Sequence, residues 1–341
     1  MLATIWFILW GLLWAVYFML DGFDLGMGIL LPFLARNDME KRIVYNAAGP
    51  YWDGNEVWLI TAGGVTFAAF PKAYAVMFSA LYTPLLLLLF ALIFRAVSFE
   101  FRNKIDCPRW RGTWDKAQFL GNFLPALLFG VAFANLFSGI PIDQQGVYHG
   151  NIFRLLSQYG LMGGCLFVCL FAMHGALWLY LKSTGTLKTR AKITALILWP
   201  IVAALAFTFL TETRFATGLY QNFIEQPLLR IFPLLAVCSL LGVLVSILCN
   251  LMLAAWIANA LFILLSMFSA VFGMYPNLVI SSLDPVWSVT IANGASSTRT
   301  LFIMLLVALL LVPVVIAYQF WAYKTFAKPV TEDDLKDGHA Y

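Results

Sequence analysis

Residues 231–275 are almost continuously apolar, and that run constrains the chain more than any other feature. It is about twice as long as one membrane crossing, which takes roughly 20 residues. The run divides at "CNLML" (249–253), whose one strongly polar side chain is Asn250. Comparable runs recur along the chain, so lipid is the solvent for most of it. Backbone polar groups must then be satisfied within each segment, which dictates helices. A β-barrel would show alternating segments of roughly 10 residues, and the unbroken "LYTPLLLLLFALIF" (81–94) excludes it. The chain is 62% hydrophobic and 11% charged, with a mean hydropathy of +0.85. A soluble domain carries about 25% charged residues.

The runs predict nine spans in one integral membrane domain over 1–341, at about 3–31, 53–70, 74–97, 117–139, 157–181, 192–211, 229–249, 252–275 and 300–324. Basic residues orient them. Of the 21 Lys and Arg, fifteen fall in the loops after spans one, three and five and in the C-terminal tail. The opposite connections hold only Lys72, Arg154, Arg214, Arg230 and Arg299, and Arg95 lies inside the third span. The expectation is an N-terminus outside and a C-terminus in the cytoplasm. "MLATIWFILW" lacks a basic leader region and reads as a retained first span. No extramembrane segment offers a soluble domain, a phosphate loop or a nucleic-acid-binding stretch. The five cysteines lack metal-site spacing, and Cys165 and Cys169, one helical turn apart, read as packing residues.

Ionisable groups at membrane depth are costly, about 2.5–3.5 kcal/mol for a central Asp, and they mark pathways or sites. The first span carries "LDGFDLGMG", with Asp21 and Asp24 on one helix face and Gly22, Gly26 and Gly28 inviting a close neighbour. The competing reading is an interfacial kink with both carboxylates wet. "YWDGNEVW" places Asp53 and Glu56 at the start of span two with the spacing of a capping box. Against mere capping, Trp52 and Trp58 hold the stretch at the interfacial belt, on the side where Asp21 and Asp24 lie. Carboxylates from two helices at one depth suit a proton path. Arg95 and Glu100, in "FRAVSFEFR", end the third span on that side. Arg95 either neutralises the acids or snorkels. On the other side "NGASSTRTL" reads as a cap for the last span, with Ser296, Ser297 and Thr298 as candidates. Only His174 is within a span, with His149 in an outer loop and His339 in the tail. A lone interior histidine reads as hydrogen-bonded core, and no second one exists for a bis-histidine haem.

Five stretches then carry a resemblance. "DGFDLGMGIL", "GPYWDGNEVWLITAGGVTFAAFP", "FRAVSFEFRNKI", "GVAFANLFSGIP" and "SSLDPVWSVTIANGASSTRTLFIML" resemble, in order from about residue 5 to 330, subunit II of the cytochrome bd-type quinol oxidases. The resemblance implies two four-helix bundles plus one extra helix, in the bacterial inner membrane. It implies half of a heterodimeric terminal oxidase of aerobic respiration, which takes electrons from membrane quinol and reduces dioxygen to water. Haems b and d and the quinol-oxidising loop would belong to the partner, subunit I, and this chain would hold no redox centre, haem ligand or metal of its own. Subunit II supports subunit I and supplies a cytoplasmic proton route, and in some members it holds a structural quinone. The family's pathway aspartates fall on Asp24 and Asp53. With Glu56 and Asp21 they make the expected pathway, supported by Trp52, Asn55, Trp58 and Arg95. The resemblance does not guarantee the Glu56 carboxylate, and it leaves small accessory subunits open. The connection 212–228 is brief and the turn between spans seven and eight nearly absent. The rival reading, a secondary transporter, would show inverted repeats and broken helices around a midplane site. Only "DGFDLGMG" hints at such a break.

Overall fold

The computed structural model describes residues 1–331 and 333–336, without the Lys336 side chain; His339 lies outside the described residues. Fourteen α-helices account for nearly all of it. The first third holds α1 (Leu2–Leu34), α2 (Asp38–Ala48), α3 (Trp52–Ala69), α4 (Pro71–Ala80), α5 (Tyr82–Phe101) and α6 (Pro108–Ser138). Next come α7 (Ile152–Leu155), α8 (Gln158–Lys182), α9 (Gly185–Ala216), α10 (Tyr220–Glu225) and α11 (Ile231–Leu248). The last are α12 (Met252–Met274), α13 (Ile291–Gly294) and α14 (Thr298–Thr325). Among the described residues eight helices are long and apolar enough to cross a membrane: α1, α5, α6, α8, α9, α11 with the turn before it, α12 and α14. The chain is a multi-pass helical membrane protein.

Two of the expected spans differ. The second is present as α3, but its polar first turn keeps it out of the eight. At ~1.5 Å per residue its 18 residues reach about 27 Å, close to the ~30 Å hydrocarbon core. The third does not begin at residue 74: α4 ends at Ala80 and α5 begins at Tyr82. Pro84 has no N–H for the Ala80 carbonyl, so the ladder breaks there. The division near Asn250 holds, with α11 ending at Leu248, α12 starting at Met252 and Asn250 at φ 59° in between. Through "LDGFDLGMG" α1 runs without a break, which removes the one hint of a broken transporter helix.

α1 is the axis of the fold, packed by α3, α6, α8 and α12. A side chain at Gly26 would overlap the Phe171 carbonyl of α8, and one at Gly130 the Gly163 carbonyl, so these glycines set the spacing of α8 against α1 and α6. α9, α11 and α12 extend the bundle from α8. α14 packs chiefly on α1 and α3 and leaves most of its surface open. Its N-cap is Ser297, whose Oγ accepts from the Thr300 N–H at 3.2 Å, whereas Ser296 donates to the Ala68 carbonyl at 2.6 Å and Thr298 begins the helix. A two-stranded antiparallel ribbon, β1 (Asn277–Val279) with β2 (Val289–Thr290), closes the end of the bundle near the C-terminus of α6. At the opposite end gather α2, the start of α3, the end of α5 and the last turn of α14, and this end carries most of the basic side chains.

Candidate functional site

The site forms where α1, α3 and α5 meet. Asp21 and Asp24 are both buried, at 0% and 2% exposure, so the reading of wet interfacial carboxylates fails. Arg95 does not snorkel. It is 0% exposed and turns into the bundle. Its Nη1 donates to Asp21 Oδ2 at 2.8 Å and its Nη2 to Asp21 Oδ1 at 2.6 Å. Glu56 Oε1 stands 3.4 Å from Nη1, and Asp24 Oδ2 4.0 Å from Nη2. The four residues form one cluster of three carboxylates and one guanidinium, buried at Asp21, Asp24 and Arg95 and partly exposed at Glu56, whose side chain is 20% exposed.

Asn55 ties that cluster to its neighbours. Its Nδ2 donates to Asp24 Oδ2 at 2.7 Å and to the Leu20 carbonyl at 3.1 Å, and its Oδ1 accepts from the Tyr323 hydroxyl at 3.1 Å. Asn55 and Tyr323 also line a cavity of about 400 Å³ with Trp52, Asp53, Glu100 and Gln319. Asp53 is exposed there, outside the buried quartet. The site thus has two storeys, with Asp53 at the cavity, Asp24 and Glu56 below, and Asn55 and Tyr323 between.

Asp53 is not a helix cap. α3 begins at Trp52, its N-cap position is Tyr51, and no side chain caps it. The Asn55 N–H already donates to the Tyr51 carbonyl at 2.9 Å, which places Asp53 inside the first turn. The pins on Tyr51 explain the early start: its hydroxyl donates to the Phe326 carbonyl at 2.7 Å and accepts from Lys182 Nζ at 2.9 Å. Trp52 stacks on Phe99 with ring centroids 5.1 Å apart, and buried Trp58 donates to Gln319 Oε1 at 3.0 Å.

Two partners were not read from the sequence. Gln319 and Tyr323, one turn apart on α14, join the site from the last span; Gln319 Nε2 also donates to the Gly54 carbonyl at 3.1 Å. Their signal was available as two polar side chains within an apolar run. The second is an outer ion network on Arg102, whose Nε donates to Asp115 Oδ1 and Nη2 to Asp38 Oδ1, each at 2.7 Å.

His174 sits apart from the cluster. Its Nε2 donates to the Met19 carbonyl at 3.0 Å, and its ring stacks on Trp256 at 5.4 Å with Phe23 at its edge.

Comparison with known proteins follows the same lines. The family model described as cytochrome bd terminal oxidase subunit II matches residues 2–326. A Haemophilus influenzae protein described as a probable cytochrome oxidase subunit 2 is 37% identical, over 94% of this chain and 93% of its own length. Subunit 2 of the Escherichia coli K12 cytochrome bd-I ubiquinol oxidase is 35% identical, over 99% of this chain and 98% of its own. Its Bacillus subtilis counterpart, a cytochrome bd ubiquinol oxidase subunit 2, is 33% identical, over 98% of both. A chain in the structure of bd oxidase from Geobacillus thermodenitrificans shares the fold, with a TM-score of 0.78 over 95% of this chain and 98% of that one at 17% identity.

Proposed function

The chain belongs to the cytochrome bd terminal oxidase subunit II family, and from that premise we propose that it is the proton-conducting partner of a haem-bearing subunit I in an oxidase that oxidises membrane quinol and reduces dioxygen to water. Subunit I holds haems b and d and the quinol site, and this chain holds no redox centre. α3 completes a set of nine spans, arranged as two four-helix bundles plus α14. The basic end of the bundle faces the cytoplasm and the ribbon faces out. The membrane is the bacterial inner membrane, and lipid or subunit I covers the apolar outer faces of α3, α5 and α14.

One observation carries the proton path: the cavity lined by Asp53 and Glu100 lies against Asn55, which hydrogen-bonds buried Asp24. Protons enter the cavity from the cytoplasm, load at Asp53, and move by way of Asp24 and Glu56 toward the oxygen-reducing haem. Trp52 lines the cavity and Trp58 holds its wall residue Gln319, and together they restrict bulk water there. Taking protons from inside while quinol releases them outside makes the reaction electrogenic, each charge moved being worth about 2.3 kcal/mol per 100 mV.

The test is Asp53→Asn in the two-subunit complex. The variant is expected to assemble with a normal haem spectrum and to reduce oxygen about 10-fold or more slowly, in the range of a lost proton-transfer group. Full turnover in a well-assembled Asp53→Asn complex would defeat the path.

A further inference from the structure

Three carboxylates share one guanidinium between α1, α3 and α5, and they share it unequally. Both oxygens of Asp21 accept from Arg95, at 2.8 and 2.6 Å, in the two-pronged form that makes the strongest arginine–carboxylate contact. Asp24 and Glu56 are only approached, at 4.0 and 3.4 Å. Asp24 Oδ1 and Glu56 Oε1 are each buried without a hydrogen-bond donor. Asp21 therefore already matches the one positive charge. A second ionised carboxylate at Asp24 would be an uncompensated charge out of water, and one at partly exposed Glu56 an uncompensated charge beside it, which a low-dielectric surrounding disfavours.

From that inequality we infer that Asp21 is the fixed counter-ion of Arg95, while Asp24 and Glu56 are the pair that loads and unloads. The inference rests on the proton-path reading and deepens it. In the step, a proton from the cavity side forms an O–H bond on one carboxylate of the pair, and a proton leaves the other toward subunit I. No electron moves in this chain, and the cluster returns to its starting charge. Ionising one of the pair opposes ionising the other, so the two act as one titrating unit. Asp21 is a positioning residue: by occupying Arg95 it keeps the guanidinium from capturing Glu56 or Asp24 and holding it ionised. The other ionisable groups facing the cluster are Tyr17 on α1, Asp53 on α3 with Tyr51 just before it, and Tyr323 on α14.

The experiment uses the intact two-subunit oxidase, with the haem spectrum reporting assembly and the rate–pH profile reporting proton loading. Asp24→Asn and Glu56→Gln are each expected to slow turnover about 10-fold or more. Asp21→Asn is expected to be slow for another reason. Its bare Arg95 pairs with Glu56 or Asp24, and the falling limb of the rate–pH profile moves toward acid by about one unit or more. Asp21→Asn with Arg95→Gln removes charge and counter-ion together, and turnover should return to within about threefold of wild type, the signature of two residues that act as a pair. A double variant as slow as Asp21→Asn alone would overturn the inference. So would an Asp21→Asn profile that loses height without moving, and this criterion decides the matter if the double variant does not assemble. Wild-type turnover in both Asp24→Asn and Glu56→Gln would instead sink the proton path itself, with Asp21 still paired to Arg95.

Discussion

Arg95 near the end of α5 and Arg102 just past that end are each the hub of an acid cluster, yet the clusters are built on opposite plans. Around Arg102 the charges match. Asp115 also takes Lys41 at 2.9 Å, and Asp38 also takes Arg111 at 3.6 Å, while Arg111 pairs with Asp106 at 2.7 Å. In the described ion pairs three acids there meet three cations, and Arg42 adds its charge to Asp38. Around Arg95 three carboxylates meet one cation, in a place with far less access to water. A matched network at the surface end holds α2 against α5 and α6. An unmatched one inside the membrane is hard to account for as stabilisation, because buried ion pairs seldom repay their desolvation. The mismatch suits the proposed proton carrier, since burying a carboxylate without a cation favours its protonated form.

The largest effect is expected from breaking the inner hub. Arg95→Gln leaves Asp21 as an uncompensated buried charge, a loss of about 3–5 kcal/mol for a broken buried pair. Little assembled oxidase should be recovered, as read by haem content per membrane protein. Arg102→Ala should cost less, about 2–3 kcal/mol, because it removes charged hydrogen bonds to Asp115 and Asp38 but leaves Asp38 able to reach water. A lower thermal midpoint of the purified complex, with turnover per surviving haem unchanged, is the expected result. If Arg102→Ala proved the more damaging, the contrast between the two hubs would be wrong.

Acid should also separate them, through α2. Burial pushes the Asp38 carboxyl up, but the hydrogen bond and charge of Arg102, with Arg111 and Arg42, outweigh it and hold it below the ordinary value. Burial likewise raises Glu40, and the Arg36 N–H together with Arg190 more than reverses that. Both acids are ionised more readily in the folded protein than in the unfolded chain. Their contribution is therefore complete above the unfolded values, about 4, and is lost as pH falls through the lower folded ones. Hydrogen exchange at α2 should quicken below about pH 4, before exchange in α1 or α8 changes.

Much of this fold could be read from the chain because the bilayer imposes a rule on composition over long stretches. Among the described residues eight of the expected apolar runs became helices long and apolar enough to span, one of them starting later than expected at Tyr82, and the positive φ of Asn250 marks a turn that one polar residue announced. The site was legible in its residue types and not in its pairings. Asp21 and Arg95 are 74 residues apart, and no local pattern says that a helix-end arginine turns inward. The capping-box spacing of Asp53 and Glu56, the rival reading there, fails for a related reason. Lys182 and Phe326, far away in sequence, pin Tyr51 and start α3 earlier than the local motif requires. Sequence spacing describes what a helix start could do, and tertiary partners decide where it begins.

The smallest structural effect is expected at Asp53, and it sharpens the comparison most. Asp38→Asn and Asp53→Asn are the same chemical change, made once in each region. Asp38→Asn weakens contacts to Arg102 and Arg111, and because its side chain is 47% exposed the loss should be about 1 kcal/mol or less. Asp53 caps nothing and is exposed, so Asp53→Asn should move stability by no more than about 0.5 kcal/mol, as surface changes do. Function should rank the two in reverse. Asp38→Asn lowers the thermal midpoint slightly and leaves oxygen reduction intact. Asp53→Asn is expected to leave the midpoint in place and to slow oxygen reduction, because on the proposed path it removes a carboxylate from the cavity without removing a contact from the fold. Midpoint and turnover measured on the same two purified complexes decide it. If the two properties fell together in both variants, the division between acids that hold this protein together and acids that serve its chemistry would not stand.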